Sequence, residues 1–280
     1  MRERIMANNA STTETAASTD SAAETDFFSG YKWCLNPIMK LNDLWTRMES
    51  ELHRFPGLKA SWQCEESKVN LYLFACAISC TVDDYFSRRH YIRPLADHFP
   101  KLRRGVSLAE DMINMTLTVG GMLKFKEVSR FRAKLDEFVE HVCNLLLSTE
   151  YSVESRLLEI ESCFGELRSS VVSAALGNAR MRLNEGYRCQ DLTYHDLITL
   201  AERYIETGPE LEGRFLVVGA RTAGSYFAPL LKVYLEGRGA SNISWVTVRP
   251  KYGTHGIERK RLRQLLRDEP TVILTDDYSN

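Results

Sequence analysis

The sequence predicts an α + α/β chain: an N-terminal helical domain, then a partial three-layer α/β/α domain built on a parallel sheet. Three observations predict it. Apolar residues recur at helical spacing through most of the first two thirds of the chain. Beyond Gly186, short apolar runs alternate with helical stretches, the order that yields parallel strands. Those runs, FLVVG (215–219), ISWVTV (243–248) and TVILT (271–275), are largely continuous rather than alternating, as burial on both faces demands.

Taken in order, residues 1–30 are rich in Ala, Ser and Thr and lack the apolar core of a signal peptide, so a disordered tail is expected. Residues 31–186 form the helical domain. Ile38, Leu41, Leu44, Trp45 and Met48 share one helical face, and Phe55-Pro56-Gly57 ends that segment. A second helix spans 68–89 and contains the longest apolar run, LYLFACAISC (71–80). That run is shorter than the about 20 residues needed to cross a bilayer, so it reads as a buried helix and no membrane partner is expected. Asp83-Asp84 on this helix reads as a solvated face. Pro94, Pro100 and Gly105 interrupt the chain, and a third helical segment runs from Ser107, broken at Gly120-Gly121, to Leu147.

The clearest helix covers 153–181. Leu157, Phe164 and Val171 recur every seven residues, as do Val153, Ile160, Leu167, Ala174 and Met181, with Asn178 at the next core position. Such a stripe serves either packing within the chain or self-association, and a buried Asn178 would select partner and register. Residues 187–280 form the α/β domain. Thr193 and Asp196 make a capping box ahead of Leu197, Leu200, Ala201 and Tyr204, and Gly208-Pro209 closes that helix.

Bulk properties are those of a soluble globular chain: 280 residues, 44% hydrophobic, 26% charged, net charge −1. From residue 211 onward 11 Lys/Arg stand against 7 Asp/Glu, which suits an anionic ligand or a solvated basic helix equally. The seven cysteines form no CxxC pair and no zinc-ligand spacing, consistent with free thiols in a reducing cytoplasm. His53, His90, His98, His141 and His195 have no consistent ligand partners, and no nucleic-acid site stands out.

Three segments carry chemistry. Arg221, Thr222, Ala223 and Gly224 lie between a buried strand and a helix start, where backbone amides attract phosphate oxygens. The loop has neither the Walker lysine nor GxGxxG spacing. Asp276 and Asp277 follow an apolar strand, the place where open α/β sheets bind ligands. Arg249 and Lys251 sit in a basic, glycine-containing loop able to close over a polyphosphate. A tight βα turn, an acidic strand end and a solvated loop are the plain readings of the same segments.

In this order the segments resemble type I phosphoribosyltransferases, over the C-terminal region only. In that family a first strand leads to a pyrophosphate loop, then a mobile basic loop, then four apolar residues and two acids before a Thr-Gly turn; VILTDDYSN is similar to the front of that signature. The resemblance implies a phosphoribosyltransferase-type sheet. It implies that Asp276 and Asp277 hold ribose hydroxyls as the catalytic acids. Arg221, Thr222, Ala223, Gly224, Arg249, Lys251, Tyr278, Ser279 and Asn280 would meet the pyrophosphate and phosphate of phosphoribosyl pyrophosphate (PRPP). Magnesium would arrive with PRPP, without a direct protein ligand. The implied activity is transfer of phosphoribosyl to a base. A chain ending at Asn280 is expected to be an incomplete domain, inactive alone, with an exposed sheet edge prone to self-association. The alternative is a non-catalytic nucleotide sensor or regulator with a helical interaction module; an unrelated Rossmann-like fold is a third.

Overall fold

The computed structural model describes residues 39–87, 105, 108–109, 112, 125–148, 153–170, 173–181, 193–208, 211–250, 254 and 256–276. The tail, most of the segment 88–124, Val171, Lys251, His255 and 277–280 lie outside them. The elements in chain order are α1 (Leu41–Arg54), α2 (Ser61–Phe86), α3 (Phe125–Leu146), α4 (Val153–Ser169), α5 (Ala174–Gly177), α6 (Tyr194–Glu206), β1 (Arg214–Ala220), α7 (Gly224–Gly237), β2 (Asn242–Val248), α8 (Gly256–Leu265) and β3 (Thr271–Thr275). Helices therefore precede a small α/β unit, as the hydrophobic periodicities predict.

The amphipathic face of α1 buries Leu41, Leu44, Trp45, Met48 and Leu52, and a 3-10 turn at Phe55–Gly57 ends it. Helix α2 begins at Ser61, seven residues earlier than the expected start at 68. Glu66, Ser67, Lys68 and Asn70 ahead of the apolar run are buried too, with Lys68 reaching Glu65 (2.8 Å) and the Ser148 carbonyl (3.3 Å). From Leu71 to Val82 every residue is buried, so α2 is surrounded rather than laid on a surface. Cys76, Cys80 and Cys143 are buried free thiols, and burial pushes the Cys80 thiol up to about 12.

The 153–181 helix is shorter than its sequence pattern. It stops at Ser169, and Ser173 caps the new short helix α5 by accepting from the Leu176 amide (3.2 Å). Leu157, Ile160, Phe164 and Leu167 are buried within the chain, with Phe164 against Trp45 and Phe138 (ring centroids 5.5 and 5.8 Å). Asn178 is exposed and bonds back to the Ala174 carbonyl (2.9 Å), so it is not a buried register-setting residue. The break lets the chain return to α1, where Lys40 and Arg180 form an antiparallel bridge.

The sheet is parallel, in order β2-β1-β3. Helix α7 covers one face, with Phe215, Val217, Ile243 and Trp245 joining the same apolar cluster as α1–α4. Helix α8 covers the other, with Leu262 and Leu265 over Leu216, Val218, Val246 and Val248. The cluster on the α7 side spans both regions: Tyr72 of α2 donates its hydroxyl to the Tyr226 carbonyl of α7 (2.6 Å), fully buried. Tyr72→Phe, which removes this buried hydrogen bond, is expected to cost about 1–2 kcal/mol in chemical denaturation.

Strand β3 breaks the expectation of burial on both faces. Val272 and Leu274 pair with Leu216 and Val218 on the α8 face, yet are 49% and 70% exposed. Among the described residues no strand pairs with its outer edge. This is the exposed apolar edge anticipated for TVILT. Leu274→Lys is expected to change stability by less than about 0.5 kcal/mol while reducing light scattering at high protein concentration. No helix among the described residues is long and apolar enough to cross a membrane.

Candidate functional site at the carboxyl end of the sheet

Strand β1 is central, and its two crossovers diverge: α7 leads over one face to β2, and α8 returns over the other face to β3. Ligands of open parallel sheets bind outside the carboxyl ends of the strands at such a switch point. Here the switch point is built by the 221–223 turn, the start of α7 and the end of β3. The turn is tight. The Arg221 amide donates to the Val248 carbonyl (2.7 Å), and the Ser225 and Tyr226 amides donate back to Thr222 and Ala223 (3.1 and 2.9 Å). The Arg221–Thr222 peptide is cis. Gly219 and Gly224 touch backbone to backbone: a Cβ on Gly219 would stand 2.1 Å from the Gly224 carbonyl oxygen. A Cβ on Gly224 would stand 2.3 Å from the Gly219 carbonyl carbon and 3.1 Å from the Thr275 oxygen. Two glycines thus bring the helix start against the ends of β1 and β3.

Arg221 turns away from β3 into a buried ionic cluster, its side chain 1% exposed. Its Nε faces Asp84 (3.1 Å), Nη1 faces Asp83 (3.5 Å) and Nη2 faces Glu258 (2.8 Å), while Nη2 also donates to the Ser87 hydroxyl (3.1 Å). Arg249, just past β2, grips Asp84 with Nε (2.9 Å) and Nη2 (2.5 Å). Asp83 accepts from Arg132 (2.7 and 3.1 Å) and from the Thr247 hydroxyl (2.7 Å). Asp136 joins Arg132 to Arg261. Four arginines (132, 221, 249, 261) thereby face four carboxylates (83, 84, 136, 258), and all but Arg249 and Asp84 line a cavity of about 270 Å³ between α2, α3, α8 and β2.

The electrostatics follow. Burial alone would raise the Asp83 carboxyl, but Arg132, Arg221, Arg261 and the Thr247 hydroxyl hold it below its ordinary value. For Asp136 burial wins over Arg132 and Arg261, and its carboxyl is raised. Burial works against the charge of Arg221, yet Asp83, Glu258 and Asp84 raise its value.

Asp83-Asp84 is therefore not a solvated face. The acid pair follows the wholly buried stretch 71–82 and meets guanidinium groups from α3, the β1–α7 turn and the end of β2. Spacing on α2 alone could not reveal partners up to 165 positions away. One signal was present, namely the excess of basic over acidic residues after position 211, whose arginines find acids in the helical region. Arg132, Asp136, Thr247, Glu258, Arg261 and Ser87 also belong to the cluster and carried no local mark.

Asp276 stands at the same carboxyl end but on the other side of the turn. It is exposed and lines a second cavity of about 550 Å³ between α6, α7 and β3, with Asp196, Arg203, Tyr204, Phe227 and Ile273. Arg221 and Asp276 thus share one rim and line separate cavities. No family model, no curated protein and no solved structure matches this chain.

Thr222 is half-buried, while Ala223 and Gly224 are buried in the turn. Lys251, Asp277, Tyr278, Ser279 and Asn280 lie outside the described residues. The capping box ahead of α6 holds Asp276's cavity wall in place: the Thr193 amide donates to Asp196 (2.7 Å). Among the described residues no group of three or more His, Cys, Asp or Glu is arranged to hold a metal ion.

Proposed function

We propose that the carboxyl end of this sheet binds a phosphorylated ribose of the PRPP class, and that the α/β region is a phosphoribosyltransferase-type domain. The observation that carries this reading is the convergence of the glycine-backed turn 221–224 and the Thr275-Asp276 end of β3 at one switch point. In this reading the Asp276 carboxylate, with Asp277, accepts hydrogen bonds from the ribose hydroxyls, and the turn amides face the diphosphate. Magnesium would enter on the diphosphate, neutralising the leaving group, without a direct protein ligand. Transfer to a base would rest on positioning and on carboxylate stabilisation of a cationic sugar.

A second reading, a non-catalytic nucleotide sensor, is favoured by one observation: the only arginine of the turn is 1% exposed and engaged by three carboxylates. Isothermal titration with magnesium and PRPP tests the binding shared by both readings. Measurable heat, lost or weakened at least about tenfold in Asp276→Asn, is expected. Absence of heat with the unaltered chain would overturn the ribose-phosphate reading. Release of pyrophosphate in the presence of a base would identify the enzyme over the sensor.

A further inference from the structure

Two adjacent carboxylates at the end of α2 hold two guanidinium groups at the sheet's ligand end. Asp84 takes a bidentate grip from Arg249 (2.9 and 2.5 Å) and a third contact from Arg221 Nε (3.1 Å). Asp83 lies 3.5 Å from Arg221 Nη1 and is fixed by Arg132 and Thr247. Arginine forks suit planar carboxylates and tetrahedral phosphates alike, because both offer oxygens at the spacing of two parallel N–H groups. Two neighbouring carboxylates spanning two arginines thus present what two linked phosphoryl groups would present.

Stability alone accounts poorly for this arrangement. A buried ion pair gives up about as much in desolvation as it gains in attraction, and apolar replacements of like volume are often as stable or more stable. The arginines are also not scattered: Arg221 lies in the turn after β1 and Arg249 directly after β2, the two places in the described sheet where an anion would be met.

We infer that Asp83 and Asp84 are an internal stand-in for a diphosphate, occupying Arg221 and Arg249 until an anionic ligand displaces them, so that the helical region reports on occupancy of the sheet's ligand end. The inference rests on the ribose-phosphate reading above and adds its regulation. The ligand class is a diphosphate or a diphosphate ester. Displacement swaps oxygens around the same two cations, so Asp84 must leave Arg249 and the last turn of α2 must shift or open. The affinity of the unaltered chain is then reduced by the fraction of molecules in which the arginines are engaged.

Asp84→Asn keeps the shape and removes the competing charge. Titration of inorganic pyrophosphate, and separately of PRPP with magnesium, is expected to give at least about tenfold tighter binding in Asp84→Asn than in the unaltered chain. The gain should vanish in the double variant Asp84→Asn/Arg249→Gln. Equal or weaker binding in a folded Asp84→Asn overturns the inference. Should that variant fold poorly, hydrogen exchange on the unaltered chain decides: saturating ligand is expected to speed exchange at residues 81–87, and unchanged or slower exchange there overturns it. Failure of the two readings is distinguishable. If the unaltered chain binds PRPP through Asp276 but Asp84→Asn gains nothing, only the stand-in fails; if neither chain binds any diphosphate, the ribose-phosphate reading fails with it.

Discussion

Arg221→Met should destabilise the fold by about 3–5 kcal/mol at neutral pH, the cost of stranding buried charge when one partner is removed. Asp83, Asp84 and Glu258 all face this guanidinium, and its side chain is 1% exposed. The loss would be a large share of the about 5–15 kcal/mol by which domains are typically stable. Methionine fills most of the volume, so the deficit reports charge rather than a cavity. Its pH dependence provides the check. Asp83 has a folded value below its unfolded one, so the unfolded chain binds the extra proton and stability rises with pH. That contribution is complete above the unfolded value of about 3.9 and disappears as pH falls below it through the folded value. In Arg221→Met the Asp83 carboxylate loses one of the cations that hold its value down and takes up its proton at higher pH, so the gap from the unaltered protein should narrow between pH 7 and pH 4. Urea denaturation at the two pH values measures it, and an equal gap at both would refute the electrostatic account.

Gly219→Ala and Gly224→Ala should each cost about 3 kcal/mol or more, through overpacking that side-chain rotation cannot relieve. The new methyl would meet backbone: 2.1 Å to the Gly224 oxygen in the first case, 2.3 Å to the Gly219 carbonyl carbon in the second. Either α7 slides away from the sheet or β1 and β3 splay, and both movements open the switch point. Gly165→Ala supplies the contrast. Gly165 is exposed inside α4 with nothing within 4 Å of an added Cβ, so alanine there should stabilise by about 0.5–1 kcal/mol. Thermal denaturation of the three variants side by side tests the pair; a mild effect at Gly224 would mean that the turn yields easily.

How legible this was depended on whether the cause was local. Thr193 and Asp196 sit three residues apart, so the capping box could be read directly and is formed. FLVVG, ISWVTV and TVILT carry their strand character in their own side chains, and all three lie in one parallel sheet. The stripe from Leu157 to Leu167 was readable as core; its end was not, because Ser169-Ser170 and the Ser173 cap compete with a heptad that continues on paper to Met181. Lys68 hid the start of α2, since a buried lysine is legible only once Glu65 and the Ser148 carbonyl are placed. The candidate site divides the same way. The turn at 221–224 and the acid at 276 were visible as strand-end segments, whereas the cluster that claims Arg221 was assembled from five elements by tertiary packing.

The bond from Tyr72 to the Tyr226 carbonyl has a consequence for synthesis. Helix α2 is buried on all sides and mostly apolar from residue 71 to 82, and one of its covers, α7, ends at Gly237. At about 5–20 residues per second, a ribosome needs roughly 8–30 s to travel from the end of one helix to the end of the other. Throughout that interval the nascent chain presents a greasy cylinder with part of its sheath unmade, a natural client for a holding chaperone.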